Sequence, residues 1–228
     1  MSPNDALGAF SLCNAVVWLY NEVQIIHRVD VERELNSAMK SYFHHIPYLR
    51  DHWEEIQTMF SEVRVPPKTT LLREGEIANR IYFINEGCLR LWFNDDGRDI
   101  TFQFFFEQQM VASFESFYNN ETSLFNIETV EASHLLTIEK DEYQKMLNMF
   151  PPLKEYFAEL LADRFVNYTK LFLSRIKDSP QKRYMELCSQ NPQLLERVPH
   201  HYIASYLGIT SVSLSRIRNR ISSDINNC

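Results

Sequence analysis

The sequence predicts an α+β protein: an N-terminal antiparallel β-roll, then one long helix, then a C-terminal helix-turn-helix. Three patterns predict it. Apolar residues recur at every second position in runs between Val63 and Ile138, at every third or fourth position between Leu153 and Arg175, and in two short helical runs within 200–221. The 228 residues are 45% hydrophobic, and 16 Phe, 11 Tyr and 3 Trp supply large core side chains, which excludes a disordered or low-complexity scaffold.

In chain order, residues 1–38 form an extension in which Leu12, Val16, Leu19, Val23 and Ile26 carry the spacing of a loosely docked amphipathic helix. The charge-free run 6–21 is too short and too polar to span a bilayer, and no basic residue precedes it, so a cytoplasmic protein without membrane partners is expected. Cys13, Cys88, Cys188 and Cys228 have no metal-ligand spacing and fit a reducing compartment. Ile46, Leu49, Trp53, Ile56 and Phe60 predict a short helix over 42–59.

Residues 39–150 predict the roll. Leu89, Leu91 and Phe93 alternate with Arg90 and Trp92, and Ile100, Phe102 and Phe104 with Thr101, Gln103 and Phe105, as in half-buried strands. That alternation assigns Arg90 to the polar face. Asn94-Asp95-Asp96-Gly97 between these runs predicts a hairpin turn. Residues 151–178 predict the long helix, with Leu153, Phe157, Leu160, Leu161, Arg164, Tyr168, Leu171, Phe172 and Arg175 in register. At 1.5 Å per residue its core 153–177 runs roughly 37 Å. Such a helix either packs along its own roll or, as its length favours, forms a dimer seam. Asp178-Ser179-Pro180 then breaks it and opens residues 179–228.

Charge divides at the same place. Residues 1–178 hold 17 Lys and Arg against 27 Asp and Glu, a net −10, whereas residues 179–228 hold 6 against 3, a net +3. The whole-chain charge of −7 therefore hides a basic tail on an acidic body. Within that tail, Ile203, Ala204 and Leu207, then Gly208, then Leu214, Ile217 and Ile221, have the spacing of two helices crossing through a tight turn. At 100° per residue, Val212, Ser215, Arg216, Asn219 and Arg220 fall on the outer face of the second helix. Thr210 or Ser211 is placed to cap it, and Ser213 lies in its first turn. These are candidate DNA contacts: Arg216 for guanine O6 and N7, Val212 for a thymine methyl, Arg218 and Arg220, with His200 or His201, for phosphates.

The run LGITSVSLSRIRNRI, preceded by a β-roll containing Phe114-Glu115-Ser116-Phe117 and by a long helix, resembles the Crp/Fnr superfamily of bacterial transcription regulators over residues 40–222. The resemblance implies a cyclic-nucleotide-binding-like roll, a dimerisation helix and a winged helix-turn-helix. It also implies a homodimer on a near-palindromic double-stranded DNA operator, with RNA polymerase as a further partner. The cyclic-AMP pattern of that superfamily is not matched: no glycine precedes Glu115, and no arginine stands near Ser123. Between Arg98 and Lys140 there is no Lys or Arg, against seven Asp and Glu, so a cyclic phosphate would lack a cation. Glu115, Ser116, Tyr118 and Ser123 are candidate residues for a pocket holding some other small-molecule effector; the competing reading gives them hydrogen bonds internal to the roll.

No cofactor is expected. His44, His45 and His52 have no carboxylate or cysteine at ligand spacing, no G-x-G-x-x-G or G-x-x-x-x-G-K occurs, and no catalytic triad is legible, so the chain is not read as an enzyme. The competing function is a small-ligand-binding roll with a protein-interacting helical tail and no DNA binding.

Overall fold

The computed structural model describes residues 47–226; the extension 1–38, its amphipathic stretch, His44 and His45 lie outside the described residues. The chain divides between Arg50 and Asp51 into two units, of which the second holds everything that follows. In place of one short helix, the segment forms α1 (Pro47–Asp51), α2 (Trp53–Ile56) and a 3₁₀ turn at Gln57–Met59.

Eight strands follow in two four-stranded antiparallel sheets: β1 (Phe60–Val65), β2 (Thr70–Leu72), β3 (Arg80–Glu86), β4 (Leu89–Asp95), β5 (Arg98–Phe105), β6 (Met110–Val111), β7 (Asn126–Thr129) and β8 (Ser133–Glu139). One sheet runs β1-β8-β3-β6 and the other β2-β7-β4-β5. The core of the roll buries Ile81, Phe83, Leu89, Leu91, Ile127, Leu135 and Ile138. The hairpin forms where the sequence places it: Asp95 pairs with Arg98, and Asp96 and Gly97 turn at φ 51° and 80°, the left-handed pair that matches strand twist. The register slips between Leu91 and Trp92, so Phe102 is the extra residue of a bulge. Its ring sits 5.1 Å from Phe125 and 5.2 Å from Tyr168.

Helices complete the chain: α3 (Phe114–Asn119), α4 (Lys140–Met149), α5 (Pro152–Lys177), α6 (Pro180–Gln190), α7 (Pro192–Arg197), α8 (His200–Tyr206) and α9 (Ser211–Asn226). Ser179 caps α6, accepting a hydrogen bond from the Lys182 amide, and Pro180 occupies its first turn, as the break at 178–180 predicts. The resemblance implies a wing, yet every regular element among the described residues 179–226 is a helix. Pro180 and Pro192 each start one, so 180–197 is helical rather than a hairpin.

α6 to α9 do not stand apart from the roll. Cys88, Phe104, Phe106 and Val130 of the roll share one apolar cluster with Tyr184, Leu187, Leu194, Tyr202, Ile203, Leu207 and Leu214. β5 is an edge strand, and Ser205 of α8 covers that edge, its Oγ donating to the Asp99 carbonyl at 2.6 Å and accepting from the Thr101 amide at 2.8 Å.

This docking buries the polar face of β4 as well. Arg90 is 1% exposed. Its Nε donates to Glu128 Oε1 at 3.0 Å, and its guanidinium carbon lies 3.7 Å from the Tyr202 ring centre and 4.7 Å from that of Trp92. The polar face of β4 is real, but α8 closes over it. At the rim, Arg197 of α7 donates through Nη2 and Nη1 to the two Glu107 oxygens at 2.6 and 2.9 Å and also pairs with Glu131. The Arg197 guanidinium holds the Glu107 carboxyl at about 2, below its ordinary 4.5.

Arg90→Ala should cost about 3 kcal/mol in urea unfolding, because Glu128 is left buried and unpaired, whereas Arg90→Met with Glu128→Leu should recover most of that. A cost below about 1 kcal/mol would show that this pair does not organise the interface. For Glu107, a depressed folded pKa means stability fully present above pH 4.5 and lost as pH falls toward 2. Arg197→Gln should therefore flatten the loss of thermal stability across that window.

Candidate nucleic-acid interface

The geometry of residues 200–221 follows from their local chemistry. α8 ends in a turn that closes two backbone hydrogen bonds, Gly208 N–H to the Ser205 carbonyl at 2.9 Å and Ile209 N–H to the Ala204 carbonyl at 3.0 Å. This is a Schellman C-cap, and it needs Gly208 in the left-handed region, where φ is 67°. α9 starts two residues later. Its cap is Thr210 rather than Ser211: Thr210 Oγ1 accepts from the Ser213 amide at 3.1 Å, and Ser211 is the first helical residue. Ala204 and Leu214 are each 1% exposed where the helices meet, and Ile209, Ile217 and Ile221 pack half-buried around them.

The opposite face of α9 is open. Ser211, Val212, Ser215, Arg216, Arg218, Asn219 and Arg220 are exposed, Val212 at 60%, and Ser213 is half-buried with its Oγ 3.0 Å from Thr210 Oγ1. Arg216 and Arg220 have no hydrogen-bond or ion-pair partner among the described residues. Arg218 is not free: its Nη1 lies 2.7 Å from His200 Nε2 and 3.1 Å from Nδ1. The sequence names both residues as phosphate contacts, and the fold sets them side by side. His201 packs instead against Tyr202, 4.0 Å between ring centres with the rings tilted by 50°.

Each of the four candidate pocket residues makes a hydrogen bond internal to the roll. Ser116 Oγ accepts from the Ala78 amide at 2.8 Å and donates to the Glu121 carbonyl at 2.5 Å. Ser123 Oγ lies 2.6 Å from Ser113 Oγ and donates to the Phe125 carbonyl at 2.7 Å, and Ser113 Oγ donates to Glu115. Tyr118 is half-exposed, with its hydroxyl 3.1 Å from that of Tyr143. The one proton of each of the three buried serine hydroxyls goes to an acceptor within the roll, which helps hold α3 to the loop before β7. A cation does reach this end of the roll, from outside the stretch without Lys or Arg: Arg164 of α5 donates to the Met110 carbonyl at 3.0 Å, over the rings of Phe105 and Phe114. His52 is paired with Glu55 at 2.9 Å.

α5 buries Leu153 and Phe157 and turns Leu160, Arg164, Tyr168 and Leu171 toward the roll as half-buried residues. Phe172 does not join them. With Phe165 and Ile176, which the period does not include, it forms a second stripe, 64%, 71% and 67% exposed. The signal was present in the sequence, since positions 165, 172 and 176 repeat at seven and four, but so were the residues that face the roll.

Residues 62–149 match the family model of the cyclic nucleotide-binding domain. No curated protein sequence matches the chain. Among solved structures, it is similar to the c-di-GMP-responsive global regulator CLP of Xanthomonas campestris, with 18% identity and a TM-score of 0.63 over 76% of this chain and 92% of that one. A Crp/Fnr-family regulator of Eubacterium rectale gives 20% and 0.63 over 76% and 87%. FixK2 of Bradyrhizobium japonicum gives 15% and 0.63 over 72% and 85%. The fold is that of Crp/Fnr transcription regulators, and no helix among the described residues is long and apolar enough to cross a membrane.

Proposed function

From a cyclic nucleotide-binding domain at 62–149 set in a Crp/Fnr fold, we propose that this chain is a sequence-specific DNA-binding transcription regulator. The observation that carries the reading is the outer face of α9: Arg216 and Arg220 unpartnered among the described residues, Val212 beside them, and the Arg218–His200 pair at the flank. Arg216 has the reach and donor fork for a guanine edge. Arg218, Arg220 and His200 supply phosphate contacts, and the N-terminus of α9, with Thr210, Ser211, Ser213 and Ser215, offers donors to the backbone.

The regulator acts as a homodimer. Phe165, Phe172 and Ile176 expose a contiguous apolar stripe on α5, which two copies bury against each other in a helical seam. A two-fold axis there sets two α9 helices for successive major grooves about 34 Å apart. Cyclic AMP is not its effector, because the serine network around Ser113 and Ser123 and the surrounding carboxylates leave a cyclic phosphate without aimed donors. Transcriptional action through RNA polymerase follows from this reading.

DNA selected from a random pool by the full chain should yield a near-palindromic site, and Arg216→Ala should weaken its binding roughly tenfold to a hundredfold while relaxing one base position. Unchanged affinity would mean that α9 does not read the site. Failure to retain any DNA, together with thermal stabilisation by a metabolite, would favour a ligand-receptor roll with a protein-binding tail. Phe172→Asp should convert a dimer into a monomer in sedimentation equilibrium at micromolar concentration, with loss of operator binding; a dimer that persists would place the seam elsewhere.

A further inference from the structure

A cleft of about 350 Å³ lies where β5, α5, α6 and α8 converge, away from both the outer face of α9 and the α3 serine network. Its lining includes Gln103, Lys170, Arg175, Arg183, Glu186 and Tyr206. Three cations therefore meet one carboxylate in a chain whose net charge is −7. None of the three forms an ion pair with a carboxylate among the described residues, and Glu186 accepts a hydrogen bond from Gln190 at 3.0 Å.

The cations are held in place by neutral groups. Arg183 donates through Nη1 to the carbonyls of Arg175 and Asp178 at 3.2 and 2.9 Å, and through Nη2 to that of Leu207 at 2.8 Å. Arg175 Nη2 donates to the Tyr206 carbonyl at 3.0 Å. Three carbonyls fix the Arg183 fork but bring no countercharge, and its Nε is shielded from water without a partner. Across the cleft, Gln103 Oε1 is shielded and unpartnered as well. The walls thus carry an unneutralised positive pair, an unused donor on α6 and an unused acceptor on β5.

The cleft opens mainly on another side of α5 from the apolar stripe. Of its α5 wall, Asn167, Lys170 and Ser174 stand on the order of 120–180° around the helix from Phe165, Phe172 and Ile176, while Arg175 lies between the two faces, about 60° from Phe172. We propose that the cleft is a binding site for a small organic anion. A carboxylate or phosphate group sits against Lys170, Arg175 and Arg183, and an N–H or O–H of the same molecule turns toward Gln103, with small side-chain rotations bringing the shielded atoms to the ligand. Bound there, the molecule joins the long helix to α6 and α8, so its occupancy biases where the helix-turn-helix sits on the roll. The site does not depend on DNA binding.

The test is thermal unfolding of the full chain titrated with inorganic phosphate and, separately, with malate, against sodium chloride at matched ionic strength. A saturable rise of about 3 °C at tenfold excess over Kd is expected with at least one of them, and which one responds separates a phosphate from a carboxylate ligand. The rise should vanish in Lys170→Glu, an exposed substitution that leaves the fold intact, and shrink in Gln103→Leu. A rise of equal size in Lys170→Glu would be the general salting effect of an adventitious ion only and would overturn the proposal. No saturable rise with either anion beyond chloride would overturn it equally.

Discussion

The Arg90 guanidinium, buried on the outer face of a sheet, is the constraint on which the arrangement of the C-terminal helices depends. A charge 1% exposed needs partners on every side, and the roll supplies only part of them through Glu128, Thr101 and Asp99. Tyr202 of α8 completes the enclosure, its ring centre 3.7 Å from the guanidinium carbon, and its hydroxyl also reaches Glu128 at 3.4 Å. Once α8 is seated there, Ser205 falls on the open edge of β5 and Ile203 and Leu207 enter the shared apolar cluster. The α8 turn then fixes α9, and the direction of its exposed face follows.

Polar and apolar contributions divide the work at this interface. Apolar burial of Tyr184, Leu187, Leu194 and Ile203 against Phe104 and Phe106 supplies non-directional attraction. Direction comes from Arg90, Ser205 and Arg197, whose bonds are satisfied in one register. Because Arg197 gathers two carboxylates from different loops of the roll, the latch it forms is electrostatic and rim-exposed. It is the element of the interface most open to salt and acid, while the Arg90 contact beneath it is not.

The hydrophobic period located β4, β5, the long helix and the two crossing helices, because each of those patterns is a local property of the chain. The same period left the cover over Arg90 unread: alternation distinguishes the two faces of a strand but does not say whether a second layer covers the polar one. It also misplaced Phe102, since a bulge moves a residue to the other side without altering the composition around it. On α5 the period groups Phe172 with the residues that face the roll, whereas Phe172 belongs with Phe165 and Ile176 to a separate, exposed stripe. The candidate pocket residues were legible as a polar cluster, but only the fold reveals that Ser113, an unnamed neighbour, ties Glu115 to Ser123.

By itself the sequence determined the class of structure, the order of its parts and the identity of the residues on the open face of α9, all of which depend on spacings within one element. Tertiary structure decided what those elements meet. It buried Arg90 under Tyr202, set Arg218 against His200 although 18 positions separate them, and brought Lys170, Arg175 and Arg183 around one cleft with Gln103 from a distant strand. The physical reason is that helix and strand periods are set by backbone geometry between near neighbours. Desolvation and charge pairing act between residues far apart in the chain, and no local pattern records them.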